Sequence, residues 1–120
     1  MNTDKTTESI IHCAIQVSNT LGAGFLEKVY ENALVLELKK TGLVVEQQQY
    51  IKVKYDEVVV GDYIADIVVA DLVLLEIKAV QAIINIHQAQ LLNYMKATGL
   101  KVGLILNFGT PKVGIKRMVL

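Results

Sequence analysis

The 120-residue sequence has little of several residue types, and each shortage excludes a class of protein. Its one cysteine, Cys13, excludes an internal disulfide framework and is predicted to be a small core residue in a reducing cytoplasm. Aromatic residues make up 6% and apolar residues 52%, which favours one aliphatic α/β domain, residues 1–120, over a disordered chain. No apolar run approaches the roughly 18 residues of a membrane span, and the polar residues 1–8 lack the hydrophobic stretch of a signal peptide. We therefore expect a cytoplasmic protein without a membrane partner.

Acidic residues are absent after Glu76. All 12 lie at or before it with six lysines, whereas residues 77–120 carry six cations, so the two parts carry −6 and +6. A basic C-terminal part beside a carboxylate cluster suits a polyanion such as a nucleic acid. Solvated lysines on a small α/β surface would give the same distribution, and both interpretations stay open.

Hydrophobic periodicity predicts three helices and five strands. Helical spacing covers residues 4–21, with Asp4 as N-cap, and residues 25–40 and 84–98. Strands are predicted over residues 44–55, 58–69, 72–80, 102–108 and 115–120. The second and third strands are almost continuously apolar, which predicts burial on both faces. The element order is ααβββαββ.

Three charged side chains interrupt the apolar hairpin formed by the second and third strands: Asp66, Glu76 and Lys78. Burying an unpaired charge is costly, so such groups pair, shift their pKa or bind a metal. Two converging carboxylates repel each other unless a cation lies between them. The spacing Asp-x9-Glu-x-Lys is typical of a divalent-metal nuclease site. The alternative is a structural ion pair between Glu76 and Lys78.

The turn of this hairpin decides whether the two carboxylates meet. A turn centred on Asp71 places Asp66 opposite Glu76, whereas a two-residue turn sends them to opposite faces. The metal hypothesis therefore requires an odd-length turn or a bulge. Such a site would hold Mg²⁺ or Mn²⁺ through Asp66, Glu76 and the carbonyl of Ile77, and Lys78 would orient the attacking water or stabilise charge on the phosphate.

Further candidate residues lie on the second and third helices. Glu27, in the first turn of the second helix, either favours the helix dipole or supplies a third carboxylate. Gln90 and Tyr94 share one face of the third helix with His87. Gln90 and Tyr94 could bond water or phosphate, or could be an ordinary surface amide and a core tyrosine. His87 is expected to be peripheral.

In combination, these residues resemble the PD-(D/E)XK nuclease superfamily, in particular its branch with an added Gln-x3-Tyr helix motif. The matching segments are Asp66, Glu76-Ile77-Lys78 and Gln90-Leu91-Leu92-Asn93-Tyr94. Residues 24–30 are a literal Gly-x2-Glu-x2-Tyr, which is similar to the bacterial GxxExxY family. Ala65 precedes Asp66 where the superfamily motif has proline, a position that varies widely.

The resemblance implies a restriction-endonuclease-like core, with a mixed β-sheet flanked by helices, and a nuclease that uses Mg²⁺ or Mn²⁺ to cut DNA. It assigns Glu27 as the helical acid, Asp66 and Glu76 as metal ligands, Lys78 as the catalytic lysine, and Gln90 and Tyr94 as the accessory motif. A non-catalytic nucleic-acid-binding module on the same fold is an alternative. The mean hydropathy of +0.41 also leaves open an assembly role, such as a homodimer that buries an apolar surface patch.

Overall fold

The computed structural model describes residues 2–120 and confirms the element order ααβββαββ. The helices are α1 (Thr3–Leu21), α2 (Glu27–Lys40) and α3 (Asn85–Thr98). The strands are β1 (Val45–Tyr55), β2 (Val58–Val69), β3 (Val73–Lys78), β4 (Val102–Asn107) and β5 (Gly114–Val119). The boundaries differ from the predicted ones by no more than two residues.

The N-terminus of α1 differs from the prediction. Asn2, not Asp4, is the N-cap, because the Oδ1 atom of Asn2 accepts hydrogen bonds from the backbone N–H groups of Asp4 at 2.8 Å and Lys5 at 3.2 Å. Asp4 lies in the first turn, where its charge favours the helix dipole. It also forms an ion pair with Arg117 on β5 at 3.2 Å. The prediction of Asp4 as N-cap was wrong because either side chain has the chemistry of a cap.

The five strands form one mixed sheet in the order β1-β2-β3-β4-β5. Only β3 and β4 are parallel, and α3 forms the crossover that a parallel connection requires. α1 and α2 pack on one face of the sheet and α3 on the other. The fold is therefore α+β, with a mixed sheet flanked by helices. No helix within residues 2–120 is both long and apolar enough to cross a membrane.

The core consists of two apolar clusters separated by the sheet. The larger cluster joins α1 and α2 to the sheet and contains Cys13, which confirms that the cysteine is a core residue. The smaller cluster lies under α3. β3 is buried on both faces up to Ile77, as its apolar run predicted, and all of β4 is buried as well.

The β1–β2 hairpin contradicts the predicted burial of β2. Its two turn residues, Asp56 and Glu57, have φ of 50° and 64°, the left-handed pair of a type I′ hairpin turn. Beyond that turn, Val58 and Val60 are 62% and 61% exposed. β3 pairs only with the last three residues of β2, Ile67–Val69, so the outer half of the hairpin extends past the rest of the sheet. The apolar run does not reveal that this half has no covering element.

Candidate metal centre

The strands β2 and β3 separate at the position of the two carboxylates. Their register pairs Val69 with Val73 and Ile67 with Leu75, so the turn is centred on Asp71 and has an odd length, as the metal hypothesis requires. Past Ile67 the backbone pairing stops, and the N–H of Ile77 donates to Asp66 Oδ2 at 2.8 Å. A carboxylate thus replaces the backbone carbonyl that would continue the ladder. Asp66 and Glu76 therefore lie next to each other at the point where the two strands separate.

Glu76 is the most unusual side chain of the site. It is only 5% exposed, and its Oε1 atom is buried without a hydrogen-bond partner. Burial in the first place, and the charge of Asp66 in the second, raise the pKa of Glu76 to about 8, while the charge of Lys78 acts in the opposite direction. Burial also raises the pKa of Asp66, partly offset by the N–H of Ile77. A cation between the carboxylates would remove both their repulsion and the unpaired oxygen.

The donor set fits Mg²⁺ or Mn²⁺, which prefer oxygen ligands, better than it fits a zinc ion held wholly by His and Cys side chains. Within residues 2–120, no three His, Cys, Asp or Glu side chains stand close enough to bind a metal among themselves. Asp66 and Glu76 provide two carboxylates, and the carbonyl of Ile77 adjoins them in sequence. Mg²⁺ commonly binds one or two carboxylates and keeps water and phosphate oxygens as its other ligands. Two carboxylates without a third therefore suit this ion.

Lys78 is near the carboxylates but does not form the structural ion pair that was the alternative. It lies two residues after Glu76 on β3, so both side chains point to the same face. Its charge reaches Glu76, whose pKa it lowers. The ion pairs found in residues 2–120 join other residues and do not include Lys78. Lys78 as a residue is half-buried beside the site.

Glu27 lies at the edge of the site. Its Oε2 atom accepts a hydrogen bond from the backbone N–H of Ala79 at 3.3 Å, so α2 is joined to the end of β3 just after Lys78. Its charge also contributes to the raised pKa of Asp66, as the smallest of the causes. Glu27 is exposed, whereas Asp66 is partly and Glu76 almost wholly buried.

The accessory pair of α3 reaches the carboxylates from the opposite direction. Gln90 Nε2 donates to the hydroxyl oxygen of Tyr94 at 3.0 Å. Tyr94 is 7% exposed, and its pKa is raised by burial first and by the charge of Glu76 next. His87 does not join them, because its Nδ1 atom accepts from the backbone N–H of Ile84 at 3.2 Å at the start of α3. The structure thus places Lys78 and Tyr94 around the two carboxylates, with Gln90 bonded to Tyr94 and Glu27 at the periphery.

Glu31 is a further buried acidic side chain near the site that was not among the residues predicted from the sequence. It is 3% exposed, and its Oε2 atom accepts from Gln47 Nε2 at 2.6 Å, Gln48 Nε2 at 2.9 Å and Lys28 Nζ at 3.2 Å. Its charge raises the pKa of Asp66 more than that of Glu27 does. The signal was present, since Glu31 follows Glu27 by four residues and shares its helix face. Glu31 joins α2 to β1 next to the metal centre.

Both strands of the β1–β2 hairpin change face beside Asp66. Ala65 packs in the cluster under α3, whereas Ile67 packs in the cluster under α1 and α2, although alternation would put both on one face. On β1, Gln48 lies opposite Asp66 and has the left-handed φ of 57°. Such conformations in a non-glycine residue need support from their surroundings, and the bond from Gln48 to Glu31 supplies it.

Tyr30, the tyrosine of the Gly-x2-Glu-x2-Tyr motif, supports the turn that precedes Glu27. Its hydroxyl donates to the carbonyl oxygen of Gly22 at 2.6 Å and accepts from the N–H of Phe25 at 3.1 Å. Its ring is fully buried and stacks on Phe108, with centroids 4.9 Å apart. Tyr30 therefore has a structural role and holds the start of α2 in place.

A mixed sheet with two carboxylates and a lysine where two strands separate matches the nuclease-like class that the sequence resembles. A family model of the PD-(D/E)XK nuclease superfamily matches residues 4–118, and the chain belongs to this superfamily. No match was found among curated proteins or among solved structures.

Proposed function

We propose that the protein is a Mg²⁺- or Mn²⁺-dependent nuclease that hydrolyses phosphodiester bonds of DNA. The observation that carries this proposal is the buried carboxylate of Glu76, with an unpaired oxygen, beside the carboxylate of Asp66. In a purely structural core, apolar residues of similar volume could replace such a pair at little cost, so its presence favours a ligand-binding role. Membership of a nuclease superfamily supports the same reading.

Each residue of the site has a distinct role in this proposal. Asp66, Glu76 and the carbonyl of Ile77 would hold the metal ion, which neutralises the scissile phosphate and lowers the pKa of a bound water. Lys78 places a positive charge where it can orient the attacking water or stabilise charge on the phosphate. Glu27 adds a third carboxylate at the edge of the site. Gln90 and Tyr94 form a hydrogen-bonded pair whose polar atoms can contact the substrate backbone.

The test is cleavage by the purified protein of linear duplex DNA, circular single-stranded DNA and RNA, in Mn²⁺, in Mg²⁺ and in EDTA. We expect cleavage in either metal, none in EDTA, and a loss on the order of 10²-fold or more in Lys78→Ala. Lys101→Ala is the matched control, since Lys101 is exposed and follows α3 outside the site. Equal cleavage by Lys78→Ala and wild type would refute the assigned role of Lys78.

We also propose that the chain belongs to the GxxExxY branch of the superfamily. Residues 24–30 match the motif literally. The structure gives this motif a physical purpose, because Tyr30 stabilises the turn and Glu27 reaches the end of β3.

A non-catalytic assembly module is the second candidate, and the exposed outer half of the β1–β2 hairpin favours it. Tyr55 is 71% exposed opposite Val58, and Tyr50 is 73% exposed opposite Ile64. Contiguous exposed apolar surface on an edge hairpin is typical of an interface between copies. If this role is correct, sedimentation at tens of micromolar should show a homodimer, and Val58→Lys with Val60→Lys should dissociate it. A strict monomer of wild type would remove this candidate.

A further inference from the structure

A groove lies between the outer part of the β1–β2 hairpin and α3, with a volume of about 930 Å³. Its lining includes Lys52 and Lys54 from β1, Tyr63 from β2, and Gln90, Tyr94 and Lys96 from α3. Three lysines and no acidic residue line it, although the protein as a whole has no net charge. The concentration of one sign of charge in one concave surface predicts an anionic ligand.

The groove approaches the candidate metal centre at Tyr94, although neither carboxylate lines it. Gln90 and Tyr94 line its wall, and the Glu76 carboxylate contributes to the raised pKa of that same tyrosine. An anionic chain lying in the groove would therefore lead to the two carboxylates. This arrangement connects the binding surface to the site where the bond would be cut.

The aromatic residues of the groove distinguish a nucleic acid from other polyanions. Tyr63 is 48% exposed, and its ring lies 5.5 Å from that of Tyr94 at an angle of 44°. The tilted contact with Tyr94 restrains the Tyr63 ring, and the exposed part of the ring can stack on a base. Aromatic rings in a basic groove are the means by which proteins bind single strands, because every base has a face that can stack.

We propose that this groove binds single-stranded nucleic acid and delivers it to the metal centre, so that the substrate is a single strand or a single-stranded end. Its volume is that of a pocket for a drug-sized ligand, which corresponds to a few nucleotides of one strand. Stacking on Tyr63 also requires a base that is not paired in a duplex. Lys52, Lys54 and Lys96 contact phosphates, and Tyr63 stacks on a base. The delivery step rests on the proposed nuclease function, whereas the binding does not.

The experiment measures fluorescence anisotropy of a labelled oligothymidylate with wild-type protein in EDTA, where no cleavage occurs. RNA, duplex DNA and polyglutamate of the same length serve for comparison. Three phosphate contacts predict a slope of log affinity against log salt of about −2 for a single strand, and Lys54→Ala should reduce its magnitude by about 0.7. Tyr63→Ala should weaken binding about tenfold, which corresponds to about 1.4 kcal/mol.

Two variants outside the groove provide the controls. Lys5→Ala removes an exposed lysine of α1, and Tyr55→Ala removes an exposed tyrosine at the hairpin turn, so neither should change the affinity or the salt slope. Duplex binding as tight as single-strand binding, or single-strand binding unchanged in both Lys54→Ala and Tyr63→Ala, would overturn the inference. Preference for polyglutamate would assign the groove to an acidic peptide instead.

The outcomes separate this inference from the proposed function. Groove-dependent binding of single strands without cleavage in Mn²⁺ would refute the nuclease and leave the groove assignment standing. Metal-dependent cleavage that prefers duplex DNA and is insensitive to Tyr63→Ala would refute the groove assignment and leave the nuclease standing. Whether RNA or DNA binds more tightly decides the sugar that the groove accepts.

Discussion

Replacement of Glu76 by glutamine should abolish cleavage and at the same time stabilise the metal-free protein at alkaline pH. Loss of one metal ligand removes charge stabilisation of the transition state, for which a decrease in rate on the order of 10²- to 10³-fold is expected. The gain in stability has a separate cause. A buried carboxylate with an unpaired oxygen costs free energy, and a neutral amide of the same shape avoids the ionised form.

The pH dependence of the free energy of unfolding gives the sign of this effect. Folding raises the pKa of Glu76 from its ordinary value of 4.5 to about 8, so the folded state holds a proton that the unfolded state has released between these values. The stability of the wild type is therefore complete below pH 4.5 and falls through pH 8, by at most about 1.4 kcal/mol per pH unit. The raised pKa of Asp66 acts in the same direction.

Urea denaturation in EDTA at pH 5, 7 and 9 measures this dependence. Glu76→Gln should flatten it, whereas Asp71→Asn should leave it unchanged, because Asp71 is exposed in the β2–β3 turn and asparagine accepts its left-handed φ of 53°. A wild type equally stable at pH 5 and pH 9 would contradict the prediction.

Addition of Mn²⁺ should reverse the fall in the stability of the wild type with rising pH. Metal binding requires the deprotonated carboxylate, so affinity rises with pH up to about 8. A concentration 100 times the dissociation constant adds about 2.7 kcal/mol to stability. Glu76→Gln should gain much less, and an equal gain in both proteins would place the ion elsewhere.

The element order and the register of the site were predictable from the sequence because they depend on local patterns. Hydrophobic periodicity predicted the three helices and five strands. The metal hypothesis required an odd-length turn or a bulge, and the turn centred on Asp71 meets this requirement. These predictions succeeded since each depends on the spacing of residues within one hairpin or one helix.

Features that depend on contacts between distant elements were not predictable. Gln48 adopts a left-handed φ opposite Asp66 because Glu31, from another element, accepts its side-chain hydrogen bond. The three consecutive glutamines at residues 47–49 gave no sign of it. The exposure of Val58 and Val60 likewise depends on where β3 ends, which the apolar run of β2 does not contain.

The role of Tyr30 shows the same limit. The motif spacing places it near Glu27, which favours a functional reading. Its hydroxyl instead forms hydrogen bonds with the backbone of Gly22 and Phe25, in the turn that precedes α2. Spacing indicates that residues act together, but only the tertiary contacts distinguish a ligand from a support.

Gly109→Ala should be the most destabilising single methyl addition, by about 3 kcal/mol, the upper end of the range for overpacking. A Cβ atom at this position would lie 2.2 Å from the carbonyl oxygen of Val80, 2.4 Å from its nitrogen and 2.7 Å from the carbonyl carbon of Ala79. All three are backbone atoms, so no rotation of a side chain can relieve the clash. The requirement for glycine here arises from close approach of two backbones, not from a left-handed φ.

The consequence should extend to the candidate metal centre, because the displaced residues 79–80 directly follow β3. Asn107 binds both the N–H and the carbonyl oxygen of Val80 at 3.0 Å, and the N–H of Ala79 donates to Glu27. Movement of residues 79–80 would break these bonds and shift Lys78. Thermal denaturation and cleavage measured on the same samples should both show losses.

Gly61→Ala is the control, since its Cβ would meet only a Tyr63 ring carbon at 3.5 Å, an ordinary contact. Equal stability of the two variants would show that residues 79–80 can move away from Gly109 without cost, and cleavage retained in a destabilised Gly109→Ala would separate this packing from the position of Lys78.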